Sequence, residues 1–183
     1  MDTQQRNLIN DIVVEGTTSL FAAFGVSLQT AGAFDVAPSS QGIKIAVIGF
    51  AGKQMCGSLL LNASDELLRS SYPVHGTTPD VAAHDLRDWT GELSNQLLGR
   101  IKKKLLGYGV VIQLSTPITL SGSEVRIGPP MPEAECLPYR FASESGWVQV
   151  RFEVMTDPDL VLTVAPPKVT DEIATEGDFL MFE

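Results

Sequence analysis

Two stretches of this chain repeat apolar side chains at helical spacing, and each gives way to short aliphatic runs punctuated by glycine. In the first, Leu8, Ile12, Leu20 and Phe24 fall on one face and predict a helix over about 5–24, although the β-branched Ile12, Val13 and Val14 weaken its propensity. In the second, Leu86, Trp89, Leu93, Leu97, Ile101 and Leu105 recur at three- and four-residue steps, predicting a helix over about 84–106 that ends at Gly107. After the first helix, Phe24-Gly25 reads as a stop, with a strand running to Gln29. Strands are predicted at 42–50 and at 55–61, joined by a turn at Ala51-Gly52-Lys53. Ser64, ahead of Asp65 and Glu66, is placed to cap another helix. Beyond the second long helix, strands are predicted at 108–113 and 122–127. A hairpin of 146–154 with 160–164 comes next, turning at Asp157-Pro158-Asp159, and the alternation from Trp147 to Val154 marks a sheet with one covered face.

The two halves echo each other. Phe24-Gly25-Val26-Ser27-Leu28-Gln29 matches Tyr108-Gly109-Val110-Val111-Ile112-Gln113, each after an amphipathic helix and before further aliphatic strands. At an offset of 77 residues, Asp11, Glu15 and Thr18 stand where Asp88, Glu92 and Asn95 stand in the second helix. Ile12, Leu20 and Phe24 fall on Trp89, Leu97 and Ile101, while Gly16 against Leu93 is the poor match. The offset grows to 84 at the next strand. The expected fold is therefore α+β, an α/β sandwich. Two pseudo-symmetric helix-strand-strand-strand repeats, about 5–70 and 84–165, build an extended antiparallel sheet covered by two long helices. One domain over 1–183 is expected, because the densest breaker run, Gly128 to Pro132, is too short for a linker and reads as a loop.

Candidate chemistry gathers on the second helix. With Glu92 as the zero of the wheel, Asp88, Asn95, Gly99 and Lys102 fall within about 80° of it, opposite the apolar face. Glycine costs about 1 kcal/mol relative to alanine inside a helix, so Gly99 calls for a reason. It either admits another molecule to the helix or packs a neighbouring helix closely, and the residues alone leave both open. An ordinary solvated face is the plain alternative for the whole stripe.

Charge and composition narrow the partners. With 22 Asp plus Glu against 13 Lys plus Arg, the net charge of −9 argues against nucleic acid or anionic membrane and favours a protein offering a lysine or arginine. The N-terminal Met1 to Arg6 is polar, and no run approaches the roughly 18 apolar residues of a span. A cytoplasmic protein is expected. Cys56 and Cys136 lack metal spacing, His75 lies in a turn-rich stretch, and His84 opens the second helix, so neither a zinc site nor a Ser-His-Asp triad has material to build on. The acidic tail, about 168–183, ends in the apolar cluster Phe179 to Phe182, which is expected to dock rather than hang free.

Asp88, Glu92 and Asn95, with Pro117 coming after Asn95 and 21 intervening residues, resemble the signature of the CheC/CheX/FliY-type chemotaxis phosphatases, which dephosphorylate the response regulator CheY. That signature is Asp or Ser, three residues, Glu, two residues, Asn, and a Pro after about twenty-two more; the spacing here is one short. The resemblance covers roughly residues 7–165, and only the Glu-x-x-Asn helix in it is specific. CheC-like members carry the motif in both halves and CheX-like members only on the central helix. Thr18 in place of a second Asn makes the single-site CheX type the closer match. The resemblance implies a phosphatase in which Asn95 orients the attacking water and Glu92 anchors the lysine of a phosphorylated CheY-like receiver, with Asp88, Gly99 and Lys102 facing that partner. It further implies a homodimer and no cofactor of its own, the Mg²⁺ belonging to the receiver. The alternative is a non-catalytic receiver-binding or flagellar-switch-like adaptor on the same fold.

Overall fold

The structure, a computed structural model, describes residues 1–31, 43–73, 81–122, 125, 128, 132–160 and 162. Helix α1 (Thr3–Ala23) opens on a capping box: the Gln5 backbone N–H donates to Asp2 Oδ1 at 2.7 Å, and the Asp2 N–H donates to Gln5 Oε1 at 2.9 Å. Its weak helix formers Ile12 and Val13 are buried, so packing outweighs local propensity. Strands β1 (Gln29–Thr30), β2 (Ile43–Gly52) and β3 (Met55–Ala63) come next, then the short α2 (Asp65–Ser71). Ser64 caps α2 as expected, accepting from the Leu67 N–H. The second half runs through α3 (Ala83–Gly107), β4 (Ile112–Leu114), β5 (Ile118–Gly122), β6 (Glu135–Ser143) and β7 (Gly146–Thr156).

All strands join one antiparallel sheet in the order β1-β6-β7-β3-β2-β4, with β5 also pairing β2. Exchanging the halves (β1 with β4, β6 with β2, β7 with β3) returns the same order. The central β3/β7 pair turns about Leu59 opposite Phe152. Only β5 has no counterpart among the described strands of the first half. The expected pseudo-symmetric α+β architecture is thus the observed one. Alternate residues of the central strands, among them Ile48, Phe50, Leu59, Leu61, Val150 and Phe152, turn toward the helices and form one core with them. Phe50 and Phe152 stack with ring centroids 5.1 Å apart. Helices α1 and α3 lie antiparallel: Phe24 meets Trp89 edge-on at 4.9 Å, and a Cβ at Gly16 would stand 3.5 Å from Leu97.

Three expectations require correction. Phe24-Gly25 is the helix stop expected of it, but the same stop recurs at Tyr108-Gly109-Val110, where a strand is expected, and in neither half does the strand start directly after the glycine. In each, a glycine at positive φ (+76° and +80°) lets the next N–H, of Val26 or Val110, reach back to the carbonyl of Phe21 or Leu105. The strands begin only at Gln29 and Ile112. Of the strand expected over 122–127, Gly122 is the last residue of β5, which begins at Ile118 just after Pro117, and Val125 is not in a strand; 123, 124, 126 and 127 lie outside the described residues. Finally, β7 has both edges taken, by β3 and β6; of the 160–164 expected as its hairpin partner only Leu160 and Leu162 are described, and neither is in a strand. Leu160 instead bonds back to Asp157 and accepts from Gln5 Nε2 at 2.7 Å, tying it to the start of α1. Pro138 hid β6 from view. Among the described residues β1 pairs only with Phe141 and Ala142, so no described strand needs an N–H from Pro138 on the outer edge of β6. His75 and the tail from 168 lie outside the described residues.

Candidate functional site

Helix α3 is long enough to carry its stripe on a rigid support, with Leu86, Leu93, Leu97, Leu98 and Ile101 fully buried beneath it. Trp89 Nε1 donates to Ser71 Oγ at 3.1 Å, fixing the first half of α3 against α2. Strand β5 crosses close to the same half. A Cβ on the buried Gly91 would come within 2.8 Å of Thr119 Cγ2, so glycine is what allows that approach. Pro117 immediately precedes β5 and follows shortly after Ser115, whose hydroxyl accepts from the Gly49 N–H at 2.9 Å. The motif proline therefore belongs to the turn that brings β5 against the site helix.

Asp88, Glu92, Asn95 and Lys102 are all exposed on the outer face of α3, and Gly99 lies among them half-buried. Asp88 is paired with its neighbour Arg87, whose Nε and Nη2 lie 3.1 and 3.0 Å from Oδ1. Glu92 Oε1 accepts from Gln96 Nε2 at 2.7 Å, which orients the carboxylate and leaves Oε2 without a partner among the described residues. Among the described residues the Asn95 carboxamide has no hydrogen-bond partner. Nothing lies within 4 Å of a Cβ built on Gly99, so the close-packing account of that glycine fails among the described residues. His84 is exposed at the start of α3 beside Asp85. Gln96 and Gly91 are site residues that the sequence pattern does not single out. The first is legible only through its i,i+4 relation to Glu92.

The related positions on α1 look different. Asp11 and Glu15 are exposed, but Glu15 Oε1 is 2.6 Å from Lys104 Nζ, supplied by α3. Thr18 Oγ1 donates back to its own helix, to Val14 O at 3.0 Å and Glu15 O at 3.2 Å. Burial first, then the charges of Glu15 and Asp11, push the Tyr108 phenol above its ordinary pKa. Among the described residues no cluster of three or more His, Cys, Asp or Glu is placed to hold a metal. A polar cleft of about 620 Å³ between the end of α1 and the β6–β7 turn includes none of the stripe residues.

A family model described as chemotaxis phosphatase CheX matches residues 44–139, more than half the chain and including all of α3. The chain belongs to the CheX family. Among solved structures, the fold of this CheX-family chain is similar to chemotaxis protein CheX from Vibrio vulnificus. The two are 19% identical with a TM-score of 0.67, covering 80% of this chain and 96% of that one. It is also similar to a CheC-like superfamily protein from Shewanella sp. PV-4, at 20% identity and a TM-score of 0.70, covering 85% and 99%. A third neighbour is the CheX-CheY-BeF3-Mg²⁺ complex from Borrelia burgdorferi, at 14% identity and a TM-score of 0.53, covering 81% and 96%. No curated protein matches the chain.

Proposed function

We propose that this protein hydrolyses the aspartyl phosphate of a CheY-like receiver domain in chemotaxis signalling, and that α3 is the helix it inserts. The supporting observation is the pairing of a pre-oriented Glu92 with an unengaged Asn95 on one exposed stripe, beside the bare step at Gly99. The CheX of the Borrelia burgdorferi structure is itself in complex with CheY, BeF3 and Mg²⁺, which fits such a partner.

Hydrolysis of an acyl phosphate needs in-line attack by one water, which breaks the P–O bond and leaves a carboxylate and inorganic phosphate. A helper protein has little covalent chemistry to do beyond positioning. Asn95 accepts a hydrogen bond from that water and holds it in line, its amide beside the phosphoryl oxygens. Glu92, steadied by Gln96, pairs with the receiver's lysine and anchors the helix, so that Asn95 stands within reach. Asp88, Gly99 and Lys102 receive the surrounding receiver surface. The Mg²⁺ belongs to the receiver, and this chain brings no cofactor.

The test tracks the decay of a phosphorylated CheY-like receiver with the intact protein, Asn95→Ala and Glu92→Ala. Asn95→Ala is expected to lower kcat about 100-fold, the cost of a misplaced reactant. Glu92→Ala is expected to act mainly on KM. Decay no faster with the intact protein than without it would sink the phosphatase reading, and receiver binding without acceleration would support the adaptor in its place. We place the protein in the cytoplasm with its receiver; among the described residues no helix is long and apolar enough to cross a membrane. We further propose a homodimer, which sedimentation velocity at micromolar concentration would show as a species of twice the chain mass.

A further inference from the structure

The stripe on α3 is not uniform in charge. Its first half carries Asp88 and Glu92, while Lys102 and Lys103 stand nearly three turns beyond Glu92, one turn past the bare Gly99 and to either side of it on the wheel. Both lysines are exposed, and neither has an ion-pair partner among the described residues. At 1.5 Å of rise per residue they lie roughly 10–12 Å along the helix from Asn95, and on the wheel they straddle Gly99 at about −80° and +20° from Glu92.

Lysines in the last turns of a helix also complement its dipole, so their position alone assigns nothing. The pseudo-twofold supplies the comparison. Helix α1 presents the same carboxylates, Asp11 and Glu15, on its exposed face, yet has no basic residue in its last turn. The positions 77 residues before Lys102 and Lys103 are Gly25 and Val26, which form the helix stop. Of the two related faces, only the one bearing the Glu-x-x-Asn stripe runs from acid to base. In a chain of net charge −9, two exposed lysines without an ion-pair partner among the described residues stand out against the overall charge.

We propose that Lys102 and Lys103 dock a carboxylate-rich patch of the receiver, about 10–12 Å from its phosphoryl group, and so choose one of the two directions in which the receiver can lie along α3. In that orientation the receiver's lysine meets Glu92 and its acidic patch meets the lysines. Turned end for end, like charges face each other at both ends of the stripe. The inference rests on the receiver-binding part of the proposed function but not on catalysis.

Association of a beryllofluoride- and Mg²⁺-loaded CheY-like receiver is measured by stopped flow with the intact chain, K102E/K103E and K102R/K103R, at low salt and again at high salt. Reversal is expected to slow association at least about tenfold at low salt, with the deficit largely lost at high salt, and the arginine pair to behave as the intact chain. Thermal melts of the same variants separate this from a dipole role, which would move the melting temperature and leave the association rate alone. Equal association rates for K102E/K103E and the intact chain at low salt would overturn the proposal, as would a deficit that salt does not diminish. No binding by the intact chain would instead remove the receiver-binding reading, and this inference with it.

Discussion

Gly99→Ala separates two accounts of one residue by sending stability and binding in opposite directions. Gly99 sits well inside the C-terminal half of α3, and it is not among the glycines at positive φ. Alanine can therefore take its place without backbone strain, and nothing lies within 4 Å of the new methyl group. The helix gains about 1 kcal/mol from the exchange. In a chain of this size that amounts to a rise of about 2–4 °C in melting temperature. If the bare step exists so that a receiver can press against α3, the same methyl group overpacks that contact. At about 1–3 kcal/mol for one methyl group in a packed interface, KM for the phosphorylated receiver should rise from about fivefold to over a hundredfold. Differential scanning fluorimetry and the receiver-decay assay read the two effects on one preparation. A variant that melts lower than the parent would mean that the glycine serves packing after all. One that melts higher with KM unchanged would mean that no partner occupies the step.

At Gly91 the same substitution should do the reverse: its Cβ would meet Thr119 Cγ2 at 2.8 Å, so Gly91→Ala is expected to cost about 1–3 kcal/mol in urea unfolding. Adding Thr119→Ser, which removes the offending methyl, should recover most of it. Tyr139 is buried with no partner for its hydroxyl among the described residues, so Tyr139→Phe is expected to leave stability at pH 7 unchanged or raise it by about 1 kcal/mol. Burial foremost holds the Tyr139 phenol above its ordinary pKa. Its neutral form thus contributes stability that is fully present below the unfolded-state value near 10 and is lost as pH climbs toward the raised folded value. Stability measured by chemical denaturation from about pH 9 upward should fall less steeply in Tyr139→Phe than in the parent; parallel curves would refute this.

The parts of the fold legible in the sequence are those with local causes. The two long helices announce themselves through 3.6-residue periodicity, and Ser64 through its place ahead of two acids. Strands β2 and β3 are readable as aliphatic runs on either side of a tight turn. The hidden parts depend on distant partners. Leu137, Tyr139 and Phe141 alternate correctly, but Pro138 argues against a strand until the pairing is known: among the described residues β1 reaches only Phe141 and Ala142, leaving Pro138 no ladder bond to donate there. Gly25 is legible as a helix stop, but Gly109 looks like part of a strand because a helix stop and a strand start share the same residues. On the site helix the stripe itself is given by the wheel. That β5 presses on Gly91, and that Lys104 crosses to Glu15, are consequences of the packing of elements far apart in sequence.

That crossing bears on why one face of a nearly symmetric molecule carries the motif and the other does not. Glu15 is already paired with Lys104, so a partner's lysine would have to displace an internal one. Yet Glu15 is largely exposed, with 69% of its side chain accessible, and an exposed pair of this kind is worth at most about 1 kcal/mol. Such a pair weakens an anchor without abolishing it. Thr18 is the more serious difference. Its hydroxyl is spent on the carbonyls of Val14 and Glu15, as short hydroxyl side chains within helices tend to be, and it cannot extend beyond its own helix. Asn95, by contrast, carries both an acceptor and a donor outward, with neither engaged among the described residues. On the proposed mechanism, losing the group that would orient a water removes chemistry, whereas a neutralised carboxylate only lowers affinity. The asymmetry between the halves therefore turns on Thr18 against Asn95, and Lys104 reinforces a loss that the threonine already imposes.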